Sequence, residues 1–199
     1  MRAYPGAMSE RTAEAERLLT LVADHILEHG VAASSLSGLA RAVGSNNRML
    51  LYYFGSREQL LAAASVEAYG RFPRVRAVMP AVESAEAPQW ARFHEGWLEL
   101  AAAENLPYLR LLFELFGLAA HSPGANEPFL EEVGAEWPGR IRAVLERRGE
   151  TDAAGLATAI LSLWRGLQLS LLSGTDRAEL DAAHLLAIRA LLPDGPPGM

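Results

Sequence analysis

Apolar positions recur along this chain at intervals of three and four, and no apolar–polar alternation of period two persists, so the pattern predicts helices throughout. Ala15, Leu18 or Leu19, Val22 and Ile26 make the inner stripe of a first helix from about Ser9 to His29, with Gly30 as its stop. Leu36, Leu39, Ala40 and Val43 fall at i, i+3, i+4 and i+7 and predict a short second helix ending at Gly44. Glycine reaches the left-handed backbone without steric cost, so the chain turns there, and Asn46 or Asn47 caps the next helix. This third helix, from about Asn47 to Phe54, buries Leu50 and Phe54 and leaves Asn47, Arg48, Met49, Tyr52 and Tyr53 on its open side. Ser56 and Gln59 read as a capping box opening a fourth helix, which continues through Leu60, Leu61, Ala64 and Tyr69 to near Pro73, where proline ends or kinks it.

Beyond that point the segment Met79 to Pro88, with two prolines, small residues and acids, is the candidate boundary. Further helices are predicted at about 88–104, 107–121, 126–148, 152–173 and 176–192, and the tail 193–199 is predicted to be disordered. The expected fold is therefore all-α. An amino-terminal helix-turn-helix unit over 9–55 is joined by a connector helix, about 56–78, to a helical unit filling 56–192. No repeat of solenoid period is present, and 131–148 reads as an ordinary amphipathic helix with a charged outer face.

Residues 34–61 carry the most chemistry: two short helices, a tight turn, then a capped helix, which is the layout of a DNA reader. An Arg fork matches the two acceptors of guanine or the oxygens of a phosphate, an Asn pairs in two-pronged fashion with adenine, and a Tyr hydroxyl reaches phosphate. Helix amino termini add positive dipole ends for phosphate oxygens. The candidate DNA-contacting residues are Ser35, Asn46, Asn47, Arg48, Met49, Tyr52, Tyr53, Ser56 and Arg57.

This segment resembles the tetracycline-repressor (TetR) family of bacterial transcription regulators. Ser35, Leu36, Leu39, Ala40, Gly44, Leu50, Tyr52, Tyr53, Phe54, Ser56, Arg57 and Leu60 carry the likeness, which covers roughly residues 10–65. Two positions depart from the family's pattern. Its usual first aromatic falls on Leu51, so aromatic contact with phosphate passes to Tyr52 or Tyr53, and its usual Lys is Arg57, with the same charge and different donor geometry. The resemblance implies an effector pocket in the carboxy-terminal domain and a four-helix dimer interface built from the last two helices.

Charge at first argues against a nucleic-acid partner, since the net charge is −6. Its distribution reverses that: Ser35 to Arg76 holds six Arg against two acids, a local +4. All 18 basic residues are Arg. The absence of cysteine excludes disulfides and thiolate metal sites. No stretch looks like an uninterrupted apolar span of membrane length and the amino terminus has no signal-peptide run, so the expected location is cytoplasmic with no membrane partner. Met8 is a second candidate start, with 1–7 then an extension.

The carboxy-terminal unit contains all four Trp (90, 97, 137, 164) together with Phe93, Tyr108, Phe113, Phe116 and Phe129. Aromatics at helical spacing ordinarily fill a core, and they also line apolar ligand cavities, with Gln168, His94, His121 or Arg110 as polar orienting groups. The candidate ligand-binding residues are Phe93, His94, Trp97, Tyr108, Phe113, Trp137, Trp164 and Gln168. The helix Ala153 to Leu172 is apolar on nearly all faces, with Ala157, Gly166 and Ser170 as small residues, and must be covered on both sides. Leu180, Ala183, Leu186 and Ala190 of the last helix suit one side, and either a second copy or the rest of the chain covers the other. Ala157, Leu161, Trp164, Leu171, Leu180 and Leu186 are the candidate interface.

Enzyme chemistry finds little support. The five His show no HExxH spacing, and there is no GxSxG elbow and no glycine-rich loop between strand and helix. His25 and His29 share a helical face at i, i+4 beside Glu28, without a third ligand, and the neighbours Glu131 and Glu132 diverge around their helix. No catalytic residue, metal or cofactor is expected. The chain reads as a homodimeric DNA-binding regulator, a repressor released from a near-palindromic double-stranded operator by a small apolar or aromatic effector. The competing class is a helical small-molecule binding protein or enzyme with an inert helix-turn-helix.

Overall fold

The computed structural model describes residues 5–31, 34–84, 88–122 and 136–193. Phe129, Glu131, Glu132, the first part of the helix expected at 126–148, and the tail from 194 lie outside the described residues. The described residues form ten α-helices and one 3-10 turn, and the chain divides into two compact units. The first unit takes Met1–Arg71 and Arg110–Leu130, the second Phe72–Leu109 and Glu131–Met199.

In the first unit, α1 (Pro5–His29) packs on α2 (Leu36–Ala42) and on α4 (Arg57–Tyr69), while α3 (Asn47–Phe54) packs on α2 and α4. Leu18, Val22 and Ile26 of α1 are buried as the stripe predicts, with Ala23 beside them, and meet a core containing Leu39, Ala40, Leu50, Leu60, Leu61 and Ala64. The turn between α2 and α3 is a Schellman motif: Ser45 N–H bonds to Ala40 O at 2.8 Å and Gly44 N–H to Arg41 O at 3.3 Å. Gly44 has φ +66°, which favours glycine. Three side chains then cap three helices: Ser35 Oγ accepts from Gly38 N–H at 3.1 Å, Asn46 Oδ1 from Met49 N–H at 3.0 Å, and Ser56 Oγ from Gln59 N–H at 3.1 Å.

The fourth helix stops at Tyr69, and a separate α5 (Pro73–Glu83) begins with Pro73 at its start, so the expected connector through residue 78 is two helices. The segment from Met79, expected as a boundary, instead continues α5 through Pro80 to Glu83. Val75, Val78, Met79 and Val82 are all buried, and that stripe outweighs the one hydrogen bond proline cannot make. In the second unit, α5 packs on α6 (Gln89–Leu100) and on α8 (Glu136–Arg147). Asn105, buried in the 3-10 turn, donates from Nδ2 to Glu99 O at 2.7 Å and so closes the end of α6 before α7 (Leu106–His121) starts.

The apolar helix is α9 (Ala153–Leu172), capped by Asp152, and it packs against α8 and α10 (Arg177–Leu191). By length and composition alone, at 20 residues and mean hydropathy 1.3, α9 is long and apolar enough to cross a membrane, and Arg165 interrupts its apolar run. The face of α10 toward the core differs from expectation. Leu180, His184 and Ile188 are the buried stripe, and Ala183, Leu186 and Ala190 are exposed.

Candidate nucleic-acid interface

Three constraints place α3. Leu50 is buried against α2 and α4, Asn46 caps its amino end, and Gly55 N–H closes its carboxyl end on Leu51 O at 2.9 Å. With one side used for packing, the opposite side is open. Asn47, Arg48, Leu51 and Tyr52 are exposed, Tyr52 retaining 56% of its surface, and Met49 and Tyr53 are half-buried. Asn46, Arg48, Met49 and Tyr52 line a shallow depression of about 340 Å³. A guanidinium, an amide and a phenol therefore stand together on the open side of α3, as base-edge and phosphate contact requires. Phe54, expected to be buried, is half-buried, with its ring 6.3 Å from that of Tyr53.

The remaining expected DNA residues divide by role. Ser35, Asn46 and Ser56 spend their side-chain oxygens on helix caps, so what they offer a phosphate is the adjoining helix amino end. Arg57 has a structural use as well: its Nε donates to Ser34 O at 2.9 Å and its Nη2 to Val31 O at 3.3 Å, so the guanidinium ties α4 to the residues before α2. Sequence spacing did not reveal this use, because the acceptors are backbone atoms brought near by the fold.

Of the candidate ligand residues, the structure brings together Phe93, His94, Trp97, Trp137 and Trp164. The Trp164 ring lies 5.8 Å from that of Phe93 and 6.0 Å from that of Trp137. Phe93, Trp97 and Trp164 have no exposed surface. A Cβ on Gly96 would lie 3.2 Å from Val78 and 3.4 Å from Trp164, a mark of close packing at this point. Tyr108 is buried against Phe72 at 5.3 Å, Gln168 is buried, and Phe113 is half-buried.

Residues that sequence spacing does not single out organise this cluster. Trp164 Nε1–H donates to His184 Nε2 at 2.8 Å, so that nitrogen carries no proton and His184 holds its proton on Nδ1. His184 Nδ1 lies 3.0 Å from His94 Nδ1, so it donates there and His94 keeps its own proton on Nε2. Trp97 stacks on His184 and donates from Nε1 to Asp181 Oδ1 at 2.7 Å, an oxygen shared with Arg177 Nε at 2.7 Å. Arg177 also donates to Leu98 O at 3.2 Å and to Ala101 O, at the negative end of α6. The indole N–H groups of Trp97 and Trp164 are thus engaged within the chain, as is Nδ1 of His94, a residue expected to orient a ligand. Burial, helped by His94, pushes the His184 pKa down to about 3, against the pull of Asp181. Burial also lowers that of His94. Trp164 leaves the candidate dimer interface, since a side chain with no exposed surface has none to offer a second chain.

His25 and His29 stack at 4.5 Å, with His29 Nδ1 turned to His25 O at 3.2 Å. Among the described residues no group of three or more His, Asp or Glu is placed to hold a metal ion.

Residues 23–64 match the profile of bacterial regulatory proteins of the tetR family. No curated protein matches the chain. Among solved structures, the fold is similar to that of the multidrug binding protein EbrR complexed with imidazole, with 22% identity and a TM-score of 0.73 over 94% of this chain and 93% of that one. EbrR complexed with proflavin aligns with 22% identity and a TM-score of 0.66 over 89% and 98% of the two chains. A member of the TetR family from Streptomyces coelicolor A3 aligns with 24% identity and a TM-score of 0.68 over 89% and 97%.

Two outcomes are expected. Arg48→Ala should redistribute base preference in a selection from random duplexes, costing ~1–3 kcal/mol at the position it reads; equal loss on every duplex would remove Arg48 from base reading. Unfolded imidazole binds its proton near pH 6.5 whereas His184 in the folded chain resists it down to about 3. The unfolded state therefore binds more protons in that window, and urea-unfolding stability should fall by up to ~1.4 kcal/mol per pH unit as pH drops below ~6.5. In His184→Phe the slope should flatten, and an unchanged slope would dismiss His184 as its source.

Proposed function

We propose that the chain, whose residues 23–64 match the profile of bacterial regulatory proteins of the tetR family and whose fold is similar to that of a TetR-family member, is a DNA-binding transcriptional regulator of that family, a homodimeric cytoplasmic repressor released from its operator by a small apolar or aromatic molecule. The observation that carries the reading is the open side of α3, where Asn47, Arg48 and Tyr52 stand exposed on a helix anchored from its inner side and its ends. A local charge of +4 over Ser35 to Arg76 in an otherwise acidic chain favours docking on DNA through this part alone. Two copies related by a two-fold axis would present two readers to half-sites ~34–36 Å apart, hence a near-palindromic operator.

The dimer face is supported by α9 and α10. Thr158, Ser162, Gly166 and Leu169 form an exposed stripe at helical spacing on α9, with Leu161 and Leu171 half-buried, and Leu186 of α10 is 77% exposed. Small side chains at 162 and 166 let a second helix approach closely, and the apolar ones supply the contact. Ala157 and Leu180, candidates from sequence, are buried within the chain and sit behind that face. The effector reading draws on EbrR, whose structures hold imidazole and proflavin. Release requires that the ligand favour one arrangement of the chain over another, typically by ~1–3 kcal/mol.

Gel retardation on the DNA upstream of the chain's own gene should show a complex that survives excess unrelated duplex, weakens steeply with salt, and is lost on adding proflavin as a planar aromatic probe. No retardation above unrelated DNA would leave the inert-motif alternative standing, and retention in proflavin would separate that probe from release. Leu186→Glu should convert the dimer to a monomer in sedimentation equilibrium, and a dimer of unchanged affinity would move the interface elsewhere.

A further inference from the structure

The junction between α1 and α2 is held from outside itself. A carboxylate oxygen of Glu114, on α7, accepts the Val31 backbone N–H at 2.6 Å across 83 positions of sequence. Gly30, just before it, has φ +75°, which favours glycine, and a Cβ there would lie 2.5 Å from the same carboxylate and displace it. From α4, Arg57 reaches Val31 O and Ser34 O. Ser34 N–H bonds to Val31 O at 3.1 Å, and Ser34 Oγ donates to Gly30 O at 3.2 Å. The next residue, Ser35, is the cap of α2, and α2 packs on α3. A displacement of Val31 is therefore passed to α2 and then to the reader.

The carboxylate is not placed there by local electrostatics. The carboxyl end of α1 is the negative end of a helix dipole, and it disfavours an anion. Glu114 is kept in position by the Val31 N–H and by the anchoring of its own helix, whose Leu111, Leu115 and Ala119 are buried. Among the described helices, α7 is the one divided between the two units, Leu106 to Leu109 counting with the second and Arg110 onward with the first. Helices in regulated proteins shift by ~1–2 Å, and a hydrogen bond weakens beyond ~3.2 Å. A contact of 2.6 Å is lost within such a shift.

We propose that Glu114 is the positioning residue through which α7 sets the reader. With its carboxylate on Val31, the junction holds α2 and α3 in the DNA-binding posture; when α7 withdraws, the junction loosens and affinity falls. The proposal rests on α3 being a DNA reader and names how that site is regulated.

The test uses full-length Glu114→Ala and Glu114→Gln. In the free protein, hydrogen exchange at Val31 and at the α2 amides should quicken about tenfold in Glu114→Ala, while Glu114→Gln, which keeps an acceptor oxygen, stays near the wild type and α9 and α10 are unaltered. Affinity for a duplex selected from a random pool by the wild type should fall about tenfold in Glu114→Ala, with base preference and salt slope unchanged because no phosphate contact is removed. Unchanged exchange at Val31 and α2, acceleration spread evenly over all helices, or full affinity despite a loosened junction would each overturn it. If the wild type selects no duplex, the DNA-binding reading fails on its own account and takes the regulatory role with it, whereas the exchange data still judge the anchor.

Discussion

An eight-residue helix cannot stand on its own hydrogen bonds, because too few are formed to offset the cost of nucleating it. Everything that α3 does depends on how it is held. Leu50 fixes one side of it to α2 and α4, Asn46 satisfies an amide at its start, and the Schellman turn at Gly44 fixes the direction in which it leaves α2. All of these restraints act from the inner side or the ends. The outer side is left without a structural duty, and Arg48, Leu51 and Tyr52 occupy it at no expense to the core.

The same division between anchored and free surface recurs at the level of the loops. Arg57 and Glu114 converge on the residues before α2 with opposite charge, one donating to carbonyls and the other accepting an amide. Neither contacts the other's partner atom. Between them they satisfy backbone groups of Val31 and Ser34, which lie outside the helices on either side. A short reader is thus positioned by long-range side-chain contacts, which are easier to break singly than a packed core.

The second unit is built on the opposite principle. His94, His184, Trp97, Trp164, Asp181 and Arg177 form a polar group in which Trp164 donates to His184, His184 to His94, and Trp97 and Arg177 both donate to Asp181. Such a network in a low-dielectric interior tolerates few arrangements, and it locks α6 to α9 and α10 in one register. The exposed stripe of α9 and Leu186 are consequently presented on a stiff pair of helices, a suitable base for a two-fold contact. Any ligand space has to lie beside this cluster, since its members are already committed to one another.

The sequence by itself determined the helical class, the order and approximate extent of most helices, the reader with its turn glycine and caps, and the family likeness of its first 65 or so residues. These depend on neighbours within one or two turns, and a period of 3.6, a cap or a turn glycine is written locally. Tertiary structure alone decided that α5 runs through Pro80, that Arg57 reaches Ser34 and Val31, that Trp164 meets His184 and not a second chain, and that Glu114 grips Val31. Each of those outcomes joins atoms far apart in the chain, where a residue's role is set by what packing places beside it and not by its spacing in the sequence.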